Sequence, residues 1–160
     1  MKVNIRKATE RDYQSVMEIY EQSTKLHSDL EPGWIKQDRP FGIKKEDYLK
    51  VINDSNDSTM LVAVSDDTVV GFAELSIKYE PENDYFSEKK FVWVNDIAVS
   101  EGMKKQGIGT RLLNAAENWA IEQGVHEVEL ATRFANKGAI DFYDKMGYQI
   151  YVVRSKKKIA

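Results

Sequence analysis

A chain of 160 residues is long enough for one domain with a sizeable core and too short for two ordinary ones. Apolar residues make up 42% and charged ones 31%, and the net charge is −3, which sets aside a protein built to coat nucleic acid or an anionic membrane. The absence of cysteine removes disulfides, thiolate metal sites and thiol nucleophiles together, and fits a reducing compartment.

The amino terminus, MKVNIRKATERD, is too polar for a secretory signal, and no apolar run approaches roughly 18 residues, so a cytoplasmic protein is expected. Residues 3–7 read as a first strand. Thr9 followed by Asp12 resembles a capping box, and Tyr13, Val16, Met17 and Tyr20 follow at helical spacing. That spacing predicts a helix ending at about residue 26. The segment HSDLEPGWIKQDRPFG holds two prolines and two glycines and loses the period, as a loop or broken helix does. Tyr48, Leu49 and Ile52 predict a second, short helix.

Residues 60–64 are an unbroken apolar run, expected of a strand covered on both faces. The turn SDDT returns the chain into a second strand over residues 69–77, giving a hairpin. After the charged connection KYEPENDYFSEKK, residues 91–99 form the third long strand, FVWVNDIAV. A glycine loop and a helix with Ile108, Leu112, Ala116 and Trp119 on one stripe come next. Residues 128–132 read as another strand. Ala139, Phe142, Tyr143 and Met146 mark the face of a helix that Gly147 ends, and a last strand starts at Tyr148 and fades into RSKKKIA. The order β-α-α-β-β-β-α-β-α-β predicts a mixed α/β sheet with helices packed on it, in one domain over residues 1–160.

The stretch MKKQGIGTRLLNAA places two lysines ahead of two glycines at a helix start. A helix leaves its first four N–H groups unpaired and carries partial positive charge at that end, so a turn through glycines aims donors at an anion. A tight strand-to-helix turn is the plain alternative. A Walker loop is ruled out because no lysine follows Gly109, and the dinucleotide fingerprint because Leu112 stands where its third glycine belongs. Downstream, NKGAIDFYDKMGY puts Asn136 at a helix start and Tyr143 on a later turn. Asn136 serves at least as an N-cap and Tyr143 at least as core. Adjacent strand ends would also bring this helix beside the glycine loop, where a tyrosine hydroxyl is a candidate proton donor.

The strand VNDIAV, the loop KKQGIG, the helix TRLLNAA and the unit NKGAIDFYDKMGY together resemble the GNAT superfamily of acetyl-CoA-dependent N-acetyltransferases, over residues 92–148. The resemblance implies a mostly antiparallel sheet of about six or seven strands with four helices. It implies that the main chain of Ile97, Ala98 and Val99 pairs with the pantetheine arm of acetyl-CoA. It further implies that Lys104, Lys105, Gln106, Gly107, Ile108, Gly109 and Thr110 hold the pyrophosphate, that Asn136 contacts the cofactor, and that Tyr143 protonates the departing thiolate. Lys104 departs from the arginine or glutamine the family places first in the loop; it keeps the charge and loses the planar fork.

Acyl transfer needs a neutral amine, and family members offer a carboxylate on the central strand. Asn95 and Asp96 stand there, and a regular strand turns only one of them to the cleft unless a bulge intervenes. Asp96 is the candidate base, with Glu74 or an ordered water as alternatives, and Asn95 a candidate to orient the amine. The resemblance places the acceptor pocket at the loop HSDLEPGWIKQDRPFG, where Trp34 and Phe41 are candidates for an apolar wall, and His27 is either a base or substrate ligand or a plain helix C-terminal cap. His126 receives no role, and two separated histidines without cysteine predict no metal site.

The basic tail RSKKKIA is expected to be solvated rather than a nucleic-acid patch. A single last strand leaves an edge that a second copy could cover as a homodimer. The expected activity is acetyl transfer from acetyl-CoA to a primary amine by direct attack. The alternative, a non-catalytic acyl-CoA-binding or sensor module, draws on Asn95 in the acidic position. The acceptor stays open between a small-molecule amine and a peptide or protein amine.

Overall fold

The computed structural model describes residues 2–36, 42–54 and 56–159. Strand β1 (Val3–Lys7) leads into helix α1 (Tyr13–Leu30) through the expected cap. The Thr9 amide and hydroxyl both donate to the Asp12 carboxylate, at 2.7 and 2.9 Å, and Arg6 donates to its two oxygens at 2.7 and 2.9 Å. The Arg6 hydrogen bond holds Asp12 down at about 2. Helix α2 (Lys45–Asn53) follows, then β2 (Ser58–Ser65), β3 (Thr68–Glu80) and β4 (Lys89–Val99). Helix α3 (Ile108–Glu122), strand β5 (Val128–Leu130) and helix α4 (Lys137–Lys145) complete the order.

The strands lie side by side in chain order, antiparallel from β1 to β4, with β5 parallel to β4. Asp66 and Asp67 turn the β2–β3 hairpin at φ of 47° and 63°, the left-handed conformation that aspartate tolerates in two-residue hairpins. Helix α3 lays Ile108, Leu112, Ala116 and Trp119 on one face of the sheet, against Leu61, Ala73, Leu75, Val92 and Val94. On the other face, Val16, Ile19 and Tyr20 of α1 and Tyr48 of α2 cover Met60, Val62 and Phe72. Strand β2 is therefore apolar on both sides, as its unbroken run predicts.

Three expectations are corrected. Helix α1 continues to Leu30 rather than ending near residue 26, because no breaker precedes Pro32 and Lys25 bridges Asp29 one turn on at 2.8 Å. His27 thus lies in its last turn. Strand β5 spans three residues instead of five. The strand expected from Tyr148 does not form, so the sheet has five strands among the described residues rather than six or seven. So short a β5 offers little edge to pair with. The tail is held instead by side chains, Tyr148 Oη donating to Glu117 at 3.1 Å and Tyr151 Oη to Glu129. No helix among the described residues is long and apolar enough to cross a membrane.

Candidate active site

The site begins with one extra residue in β4. Val92 and Val94 face α3, and unbroken alternation would turn Asp96 the same way. Leu75 of β3, however, pairs with Val94 and Glu74 with Asp96, which leaves Asn95 without a partner across the ladder. This bulge reverses the phase. Ile97 and Val99 now face α3, while Asp96 and Ala98 face α1. Asn95 is exposed, and its amide donates to the Ser76 hydroxyl at 3.1 Å.

Glu74 and Asp96 are consequently opposed on one face of the sheet. Tyr20 of α1 donates its hydroxyl to Glu74 at 2.6 Å, with its ring packed on Phe72 at 4.3 Å between centroids. Burial, and secondly the charge of Glu74, raise the Asp96 carboxyl to about 6, against a hydrogen bond from the Ile97 amide. Tyr143 is pushed up to about 12, again by burial first and then by the charge of Asp96. Burial and the two carboxylates also raise Tyr20. Two acids and two phenols, from β3, β4, α1 and α4, share one electrostatic environment.

The β4–β5 ladder covers only Val92–Val94 against Val128–Leu130 and stops just before the bulge. Beyond it, Ile97, Ala98 and Val99 pair with Ala73, Phe72 and Gly71 of β3, and no strand among the described residues lies on their other side. That free backbone edge can accept an extended ligand as an added strand. At its far end a single 3-10 turn, Glu101–Met103, leads into Lys104, Lys105 and Gln106. Lys105 has φ of 61°, and Gly107, the N-cap of α3, has φ of 77°. A Cβ on Gly107 would meet nothing, so the left-handed backbone itself calls for glycine there. No side chain caps α3, and its first backbone bond runs from Arg111 to Gly107 at 3.1 Å. The amides of Ile108, Gly109 and Thr110 therefore have no intrahelical acceptor and point out of the helix end. These donors and the exposed Lys104 and Lys105 form an electropositive cradle suited to a diphosphate.

Helix α4 lies beside this cradle, since a Cβ on Gly109 would sit 3.4 Å from the Phe142 ring. Asn136 caps α4, accepting from the Ala139 amide at 3.2 Å. Trp34 is 49% exposed and carries the guanidinium of Arg133, from the turn ahead of α4, over its ring at 4.3 Å. His27 meets Trp34 edge-on at 6.0 Å between centroids, and its buried Nδ1 has no hydrogen-bond partner among the described residues. Burial and the Arg133 charge lower its pKa. Phe41 lies outside the described residues. Tyr20, Glu31 and Arg133 belong to this region without having been singled out in the sequence: Tyr20 reads as one more residue of a helix stripe, and the pairing of the other two carries no sequence signal. No group of three His, Asp or Glu among the described residues is placed to hold a metal ion.

A model of the acetyltransferase (GNAT) family matches residues 14–148. The uncharacterized N-acetyltransferase YhfO of Bacillus subtilis is 27% identical over 150 residues, which span 92% of this chain and 90% of that protein. The aminoglycoside N(6')-acetyltransferase type 1 of Klebsiella aerogenes is 31% identical over 63% of this chain and 66% of its own length. Among solved structures, a mutant of the BH1408 protein of Bacillus halodurans superposes with a TM-score of 0.91 at 22% identity, covering 98% of this chain and 99% of that one.

Proposed function

Because the chain belongs to the GNAT family of acetyltransferases, we propose that it transfers an acetyl group from acetyl-CoA to the primary amine of a small molecule in the cytoplasm. The observation that carries the mechanism is the bulge that turns Asp96 onto the cleft face within the field of Tyr143. Acetyl-CoA supplies the activated acyl group. The free edge of Ile97, Ala98 and Val99 receives its extended arm, the amides from Lys104 to Thr110 its diphosphate, and Asn136 at the head of α4 its flank. A small-molecule acceptor is supported by the aminoglycoside acetyltransferase among the relatives.

An amine of pKa near 10.4 is neutral in only about one molecule in 2,500 at pH 7. As its nitrogen bonds to the acyl carbon, the N–H becomes acidic and the proton passes to Asp96, directly or through water. The C–S bond breaks, and Tyr143 gives its proton to the departing sulfur. The two groups are coupled. Once Asp96 is neutral, one of the two causes holding Tyr143 above its ordinary value is gone, so taking up the first proton readies the phenol to release the second. Main-chain donors beside the bulge stabilise the oxyanion.

The sensor alternative drew its support from Asn95, which projects away from Asp96 and is exposed. Thiol release from acetyl-CoA with a panel of amines tests the reading. Tyr143→Phe should lower kcat at least tenfold; a smaller loss removes Tyr143 from the acid role, and no thiol release with any amine removes the transferase reading.

A further inference from the structure

Helix α4 would carry both Asn136 and Tyr143 into the site, yet none of its residues is fully buried, Phe142 and Tyr143 being half-buried. A helix that delivers a proton donor needs firm anchorage, because a displacement of about 1 Å can cost a hundredfold in rate. Its interior side offers the Phe142 contact with Gly109 and the Tyr148 bond to Glu117. The remaining anchor comes from far away in sequence. Arg133 stands in the turn that opens α4, where its carbonyl accepts from the Asn136 amide at 2.8 Å. Its guanidinium forks onto the two oxygens of Glu31, Nε at 2.5 Å and Nη2 at 2.6 Å, across 102 residues of chain. Glu31 is the C-cap of α1, and Lys156 of the tail reaches it at 3.3 Å. Trp34, hydrogen-bonded through its amide to the Glu31 carbonyl at 3.2 Å, stacks under the same guanidinium.

We propose that Arg133, clamped by Glu31 and Trp34, is a positioning residue that fixes the α4 N-terminus across the acceptor mouth and thereby aims Tyr143. The proposal rests on the acid role given to Tyr143 above. The fork and the flat stacking surface are properties of arginine that lysine lacks, so charge alone does not suffice. The strap also joins the acceptor loop to the helix that flanks the cofactor, so occupancy at Trp34 and alignment of Tyr143 are mechanically linked.

Arg133→Lys, Glu31→Gln and the swapped pair Glu31→Arg with Arg133→Glu decide the matter. Both single variants should lower kcat about tenfold, and the swap should recover at least a third of the loss. In a Tyr143→Phe background, Arg133→Lys should cost less than about twofold, because the group it aims is already gone. An equal loss in both backgrounds overturns the proposal while leaving the transferase reading intact. Hydrogen exchange gives a readout that does not require turnover: amides of residues 137–145 should exchange at least about tenfold faster in both single variants, with α3 unchanged. Unchanged exchange at α4 overturns the strap.

Discussion

Replacing Asp96 with asparagine should move activity and stability in opposite directions. The carboxyl titrates at about 6 against an ordinary 3.8. Between those values the native state holds a proton that the unfolded state has released. Stability therefore falls as pH rises through that window, and the loss is complete above the folded value. The gap of roughly two pH units, at about 1.4 kcal/mol each, sets an upper bound of about 3 kcal/mol on what the charged form costs at neutral pH. Asparagine keeps an acceptor for the Ile97 amide, offers a donor to Glu74 and carries no charge to desolvate.

Asp96→Asn should thus gain roughly 1–3 kcal/mol at pH 7, seen as a rise of roughly 3–10 °C in melting temperature. The gain should vanish by about pH 4, where the native aspartate is itself neutral. Turnover should fall about a hundredfold or more, and the acidic limb of the kcat profile near pH 6 should disappear. Glu74→Gln tests the division of causes. Burial is the larger one, so removing the neighbouring charge should shift that limb to lower pH by less than about one unit. Melting curves across pH and steady-state rates check both. A variant that melts lower than the native protein at pH 7, or keeps the limb near 6, would show that Asp96 is neither the strained group nor the base.

Two further outcomes are expected. Gly107→Ala forces a Cβ into the left-handed region at a cost of about 1–2 kcal/mol, and relaxation of that turn would misdirect the cradle amides. Calorimetry should record CoA binding weakened at least about tenfold, and undiminished affinity would place the diphosphate elsewhere. A homodimer that buries the exposed Ile150, Tyr151, Val152 and Val153 of the tail should give twice the 18.4 kDa chain mass in light scattering at high concentration. Val152→Lys should return it to one chain mass, and a strictly monomeric native protein would dismiss the interface.

What was legible followed from periodicity and local chemistry. The stripe through Ile108, Leu112, Ala116 and Trp119, the cap from Thr9 to Asp12 and the two-aspartate hairpin each depend on residues within one or two turns of each other, and each formed as expected. The tail was misread because alternating Tyr148, Ile150 and Val152 have strand propensity, which a chain realises only where an edge is available to pair. Arg133 and Glu31 were illegible for another reason. Their pairing depends on where α1 ends, and that end, Leu30, lies a full turn beyond residue 26, where the helix is expected to stop.

The orientation of Asp96 sits between these cases. The dipeptide Asn95-Asp96 says that a carboxylate is near the centre of the sheet, but a period of two assigns it to the wrong face. A single inserted residue decides. Packing supplies the reason for the insertion to survive: Ile97 and Val99 are needed under α3, and only a phase reversal after Val94 provides them while sparing the core a buried acid. The same bulge increases local twist and bends its strand, and the β4–β5 ladder ends at Val94, one residue earlier. The feature that turns a carboxylate into the cleft is therefore also the feature that parts the two strands and leaves Ile97, Ala98 and Val99 with a free backbone edge. In the proposed reading, base and cofactor slot are two consequences of one extra residue, which is why neither can be read from strand alternation alone.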